Sequence, residues 1–221
     1  MRHSIVAIDQ SLTCSGLVKA IWQEGQTPEF ACQTIAPKSR GEQRLIDILD
    51  AVLFECETAD MVFMENYAFG QVNQMSALGE LGGVLKVALY KANKRAIIVG
   101  PTELKSWATG RGNAKKLDMG IAAARVKIFG NFRGDDNIVD ALFMAELGWY
   151  YAAKLPGNNE KRREILARIY ERNMPGYVKP KKPIKAPVAG ASAQRPTNDN
   201  RIGCIAKRRA EGRASNELGT L

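Results

Sequence analysis

The chain has 221 residues, 45% hydrophobic and 25% charged, which is enough for one filled core of about 150 residues plus an extension and too little for two full domains. No apolar run approaches the roughly 18 residues of a membrane span, and Met1, His3 and their neighbours leave no room for a signal peptide, so a cytoplasmic protein is expected. The net charge of +9 is uneven, with 16 Lys and Arg against 6 Asp and Glu in residues 154–221 and 16 against 17 before them; a basic extension on a neutral body suits a polyanion such as nucleic acid, or else a merely solvated tail.

Residues 4–8 form a short β-branched run that reads as a strand buried on both faces, and it stops at Asp9, followed by small turn-forming residues. An ionised group at the edge of a core needs a cation, a metal or several donors to offset its lost hydration, although an Asp that only caps a turn fits the same stretch. Residues 16–22 and 30–35 read as two more strands, joined by links of hairpin length, so three consecutive antiparallel strands are expected. Residues 40–57 then change period: Leu45, Ile46, Ile48, Leu49, Val52 and Leu53 place a broad apolar stripe on a helix. The strand at 61–64 ends, like the first, on an acid, Glu65.

After Glu65 come Tyr67 and Phe69, two aromatics in a loop, readable either as a lid on the core or as a stacking wedge for unpaired bases. Residues 72–92 form a helix with Leu78, Leu81, Val84, Leu85, Ala88 and Leu89 on one side and the small residues Ala77, Gly79, Gly82 and Gly83, where a sheet or a second subunit can approach closely. A fifth strand at 95–99 ends at Gly100 and Pro101, and Thr102 is placed to cap a short helix at 103–108 that carries Lys105. The basic stretch from Gly110 through Arg111, Lys115 and Lys116 leads into a helix at 117–129. It can contact a nucleic-acid backbone or serve as an ordinary solvated turn, and it matches no established phosphate-loop pattern.

The segment from Asp135 to Ala145 opens with acids that suit a helix N-terminus, yet Asp140 lies past that first turn. Asp136 and Asp140, four apart, share a helical face, and like charges at that spacing repel unless a cation lies between them. The chain thus offers Asp9, Glu65, Asp136 and Asp140: two acids from strand ends and two from one helix. With His3 the only histidine and four scattered cysteines, a His-based mechanism, a zinc site and a disulfide scaffold all lack support. Hard oxygen donors select Mg²⁺ or Mn²⁺, and two such ions about 4 Å apart can promote in-line hydrolysis of a phosphodiester. Lys105, Arg111, Lys115 and Lys116 are candidates to offset phosphate charge.

The motifs AIDQSLTCSG, a strand ending in ME followed by SALGELGGVLKVA, GPTELK, GRGNAKK and DNIVDALFMA stand in one order over residues 3–153. In that order the chain resembles the ribonuclease H-like fold and, in detail, the RuvC-like Holliday junction resolvases. The resemblance implies an α/β fold with a mixed five-stranded sheet, three antiparallel strands then two parallel, flanked by helices. It implies Asp9, Glu65 and Asp140 as metal-binding catalytic carboxylates, with Asp136 or Asn137 as the fourth ligand, because the family's usual acid falls on Asn137. It further implies that Lys105 and Lys116 act at the scissile phosphate, that Tyr67 or Phe69 meets the junction, and that a homodimer forms through 72–92 on branched DNA. Such dimers supply two matching sites for two incisions.

The domain expectation is a nuclease domain at 1–153, a docked amphipathic helix at 154–173 and a basic, largely disordered tail at 174–221, whose first part holds five prolines by Asn200. Lys207, Arg208 and Arg209 are its candidate DNA contacts, and a compact tailed resolvase suits a bacterial cell or its phage. Three readings compete: another nuclease on the same fold, for flaps or single strands; a sugar-kinase or actin-like phosphotransferase, from the likeness of DQSLT to a phosphate loop; and a DNA-binding protein that does not cut.

Overall fold

The computed structural model describes residues 1–66, 72–130 and 136–173, without the side chains of 72–75, 77, 136 and 137. Tyr67, Phe69, Lys207, Arg208, Arg209 and the whole tail from 174, together with the side chains of Asp136 and Asn137, lie outside the described residues. Those described fall within one compact unit, Met1–Lys179.

Strands β1 (Arg2–Asp9), β2 (Ser15–Gln23) and β3 (Glu29–Ile35) run antiparallel in sequence, then helix α1 (Gly41–Cys56) carries the chain across to β4 (Met61–Glu65). Helix α2 (Val72–Lys91) leads to β5 (Ala96–Val99), and α3 (Pro101–Thr109), α4 (Lys116–Arg125), α5 (Asp136–Ala152) and α6 (Glu160–Asn173) follow. The strands form one sheet in the order β3-β2-β1-β4-β5, with β4 parallel to β1 and β5 parallel to β4. This is the mixed sheet expected from the sequence.

Strand alternation sorts β1 into two cores. Ile5 and Ala7 face one with Val18, Phe63, Val99 and the apolar side of α5, while Val6 and Ile8 face the other with Leu17, Met64, and Ile48 and Leu85 of α1 and α2. All four of these β1 residues are fully buried, so a continuous apolar run, rather than alternation, marks this strand. Parallel pairing then fixes the site: Ile8 lies beside Met64 and Glu65 beside Val99, so Asp9 and Glu65 emerge at the same carboxyl edge of the sheet, where open α/β sheets bind ligands.

Several local expectations are corrected. Thr102 does not cap α3: Gly100 is the N-cap, Pro101 takes the first helical position where no N–H is needed, and the Glu103 carboxylate reaches back to accept the Gly100 N–H at 3.0 Å. The helix expected over 117–129 breaks at Val126, which is extended, and a single 3₁₀ turn (Lys127–Phe129) follows. Phe129, in that turn, is buried edge-on to Phe30 and Phe143 at 5.4 and 5.3 Å, a geometry aromatic pairs prefer. Ile46, assigned to the α1 stripe, is 46% exposed, and the buried stripe is Ile48, Val52 and Cys56. No helix among the described residues is long and apolar enough to cross a membrane.

Candidate metal centre

Three of the four acids singled out in the sequence converge. Asp9 ends β1, Glu65 ends β4, and Asp140 sits in the second turn of α5; their carboxylate oxygens lie within 4.8 Å of one another. Asp140 reaches them because α5 lies close on the sheet. A Cβ on Gly148 would stand 2.5 Å from Ile5 Cδ1 and 2.9 Å from Phe63 Cδ2, so only glycine fits there without a shift. From Ile138 to Leu147 every α5 residue except Asp140 is buried. The site is thus built by two strand ends and one helix pressed against them.

The electrostatics are those of a site short of positive charge. Burial, the charges of Asp9 and Asp140, and a hydrogen bond with Asp9 push Glu65 up to about 9, against an opposing pull from Lys105. Asp9 is pushed up to about 6 by burial and by Asp140, with the Glu65 hydrogen bond and Lys116 acting the other way. Near neutral pH Asp9 and Glu65 therefore hold a proton between them, as closely placed carboxylates do. The donor set is all oxygen, with burial and mutual repulsion raising two of its carboxyls, which fits a hard divalent cation and not a soft one.

Beside the acids, the Gln10 side chain donates from Nε2 to the Glu65 carbonyl at 3.0 Å, and its Oε1 is buried with no partner among the described residues. Buried acceptors are rarely left so. The sequence reading took Gln10 only as part of DQSLT and gave it no role beside the acids; its place directly after Asp9 was the available signal.

The two lysines singled out in the sequence come from two successive helices. Lys105 on α3 acts on Glu65, and Lys116 at the start of α4 acts on Asp9. The loop between those helices is held down on α3: a Cβ on Gly112 would meet Thr102 Cγ2 at 2.5 Å. Arg111 lies 3.1 Å from Asp118 of α4, whose other oxygen accepts the Lys115 N–H at 2.9 Å; backbone hydrogen bonding and the Arg111 charge hold the Asp118 carboxyl below its usual range. Arg111 therefore shapes the loop, yet at 65% exposure it can still meet an anion. In the β1–β2 link the hydroxyls of Ser11 and Ser15 bind their own loop, with Ser15 Oγ accepting the Ser11 N–H at 3.0 Å and Ser11 Oγ accepting those of Thr13 and Cys14 at 3.3 and 3.4 Å. Those amides already have acceptors, which weakens the phosphate-loop reading of DQSLT.

No protein-family model matches the chain. Among solved structures it is similar to Thermus thermophilus RuvC, with a TM-score of 0.57 at 19% identity over 69% of this chain and 97% of that one. It is likewise similar to T. thermophilus RuvC in complex with a Holliday junction substrate, with a TM-score of 0.58 at 21% identity over 69% of this chain and 96% of that one. At such identities the likeness is one of fold. With its strand order, its crossing helices and its acid-bearing strand ends, the chain has the ribonuclease H-like fold in the form it takes in RuvC.

Proposed function

We propose that the chain is a metal-dependent endonuclease that resolves four-way or other branched DNA by paired phosphodiester hydrolysis. The observation that carries this reading is the meeting of Asp9, Glu65 and Asp140 within 4.8 Å at the carboxyl edge of the sheet. Asp9, Glu65 and Asp140 would hold Mg²⁺ or Mn²⁺, as a pair of ions, with Asp136 as the flanking acid one turn before Asp140 or Asn137 in its place. Bound divalent ions lower the pKa of water and offset the charge of a phosphate under attack. Lys105 and Lys116 would bring ammonium groups to the phosphate oxygens from two helices, holding the diester in line with the carboxylates.

The remaining assignments follow from the substrate. Arg111 and Lys115 would contact the backbone beside the cut, Tyr67 and Phe69 would stack on bases opened at the branch, and Lys207, Arg208 and Arg209 would add phosphate contacts from the tail. A homodimer through α2 supplies two matching sites for two incisions.

The test is cleavage of a synthetic four-way junction against a linear duplex of matching sequence, with Mg²⁺, Mn²⁺ or EDTA, for wild type and Asp140→Asn. Expected are paired nicks near the crossover that need metal and fall by at least about 100-fold in the variant. Cutting of flaps or single strands instead would keep the metal chemistry and move the substrate. Tight binding with no cutting under any metal would end the nuclease reading.

A further inference from the structure

Lys105 is the only cation on α3, so the placement of this short helix decides what that ammonium reaches. Helix α6 grips α3 near both ends. At the first, Glu103 accepts the Gly100 N–H at 3.0 Å and is held bidentately by Arg172, Nη1 to Oε1 at 2.9 Å and Nη2 to Oε2 at 2.8 Å. Arg168 Nε adds charge 3.6 Å from the same carboxylate. Glu103, in the first turn of α3 and two positions before Lys105, is thus fixed by α6.

At the other end Arg162 donates from Nε to the Trp107 carbonyl at 3.0 Å and from Nη1 and Nη2 to Glu146 of α5 at 2.8 and 3.2 Å. Trp107 Nε1 donates to Glu146 Oε2 at 2.8 Å, and the guanidinium lies 4.3 Å from the Trp107 ring centroid. Glu146 and Arg162 are 3% and 7% exposed. The pair also satisfies the Trp107 carbonyl and indole N–H, so both of its partners are needed where they stand. Glu146 lies six residues after Asp140 on the same helix, so one arginine of α6 ties the Lys105 helix to the Asp140 helix.

We propose that α6 is a brace that sets Lys105 against the carboxylate centre, with Arg172 as a positioning residue acting through Glu103. The proposal rests on the endonuclease reading for its effect on rate, and on the grip itself for its effect on α3. Arg172 is partly exposed, at 34%, so Arg172→Gln removes the bidentate hold without opening the core.

The experiment compares wild type, Arg172→Gln, Lys105→Ala and the double variant in single-turnover junction cleavage, junction affinity and hydrogen exchange. Arg172→Gln should slow cleavage about 10- to 100-fold, the scale of a small misplacement, leave junction affinity within about 2-fold, and speed exchange of the α3 amides. With Lys105 already removed, adding Arg172→Gln should change the rate less than about 2-fold, because the two act through one group; Arg172→Lys should restore part of the loss. Equal rate losses in both backgrounds would overturn the proposal in favour of general loosening. A wild type that cuts no branched DNA would sink the endonuclease reading alone, and unchanged α3 exchange in Arg172→Gln would then still overturn the brace.

Discussion

Glu65 and Asp9 are acids that the fold keeps protonated well above their ordinary values of 4.5 and 3.8, at about 9 and about 6. Burial is the first cause for both, followed by neighbouring negative charge. Since the folded values are raised, the folded chain binds more protons than the unfolded one between these limits. The stability they contribute is fully present below about pH 4 and is lost as pH rises through about 6 for Asp9 and about 9 for Glu65. In EDTA, Glu65→Gln should therefore raise Tm near pH 8, and its advantage over wild type should grow from pH 5 to pH 9. An advantage that shrinks with rising pH would show that the fold does not hold the Glu65 carboxyl above its ordinary value. Cation binding competes with the same protons, so Mg²⁺ binding at pH 7 should release about one proton, read by calorimetry in buffers of different ionisation enthalpy.

At the scale of elements, the centre depends on how near α5 lies to the sheet. Gly148→Ala has two opposed effects: helix propensity favours alanine by about 1 kcal/mol, while the new methyl meets Ile5 Cδ1 at 2.5 Å and Phe63 Cδ2 at 2.9 Å, and overpacking of that kind costs about 1–3 kcal/mol. The clash should win, lowering Tm by several degrees, and Ile5→Val should recover part of the loss by removing Cδ1. A Gly148→Ala protein more stable than wild type would mean that α5 has slack. This contact also marks where reading the sequence stops. Asp9 and Glu65 were legible because each ends a short apolar run, and Asp140 because it lies past the acidic first turn of its helix, four residues from Asp136. Gly148 was not, since the atoms that crowd it come from β1 and β4. Glu146 and Arg162 were likewise hidden, each an ordinary charge in a helix until the fold brings them within 2.8 Å. The break at Val126 accompanies a tertiary contact, that of Phe129, which local pattern does not carry, whereas the cap at Gly100 is local, with Pro101 and Glu103 as the signal that was available.

For the whole molecule, the question is what covers α2. Its inner side is complete, with Leu81, Leu85 and Leu89 fully buried. Its outer side presents Val87 at 57% and Tyr90 at 77% exposure, and Gly79 and Gly83 have open space where a Cβ would stand. Small residues flanked by exposed apolar ones allow close approach of a second backbone, and a two-fold interface uses one such face twice. A four-way junction needs two incisions, so a dimer across this helix gives the proposed activity its second site. Val87→Glu places a like charge on both sides of a two-fold contact, where repulsion and desolvation act together. Sedimentation velocity should show the wild type as a dimer and Val87→Glu shifted to monomer, still folded because the side chain is mostly exposed within one protomer. On junction DNA the monomer should leave singly nicked molecules where wild type gives paired cuts. A Val87→Glu protein that stays dimeric and cuts in pairs would place the interface elsewhere, and a wild type that is monomeric even on the junction would remove the dimer from the mechanism.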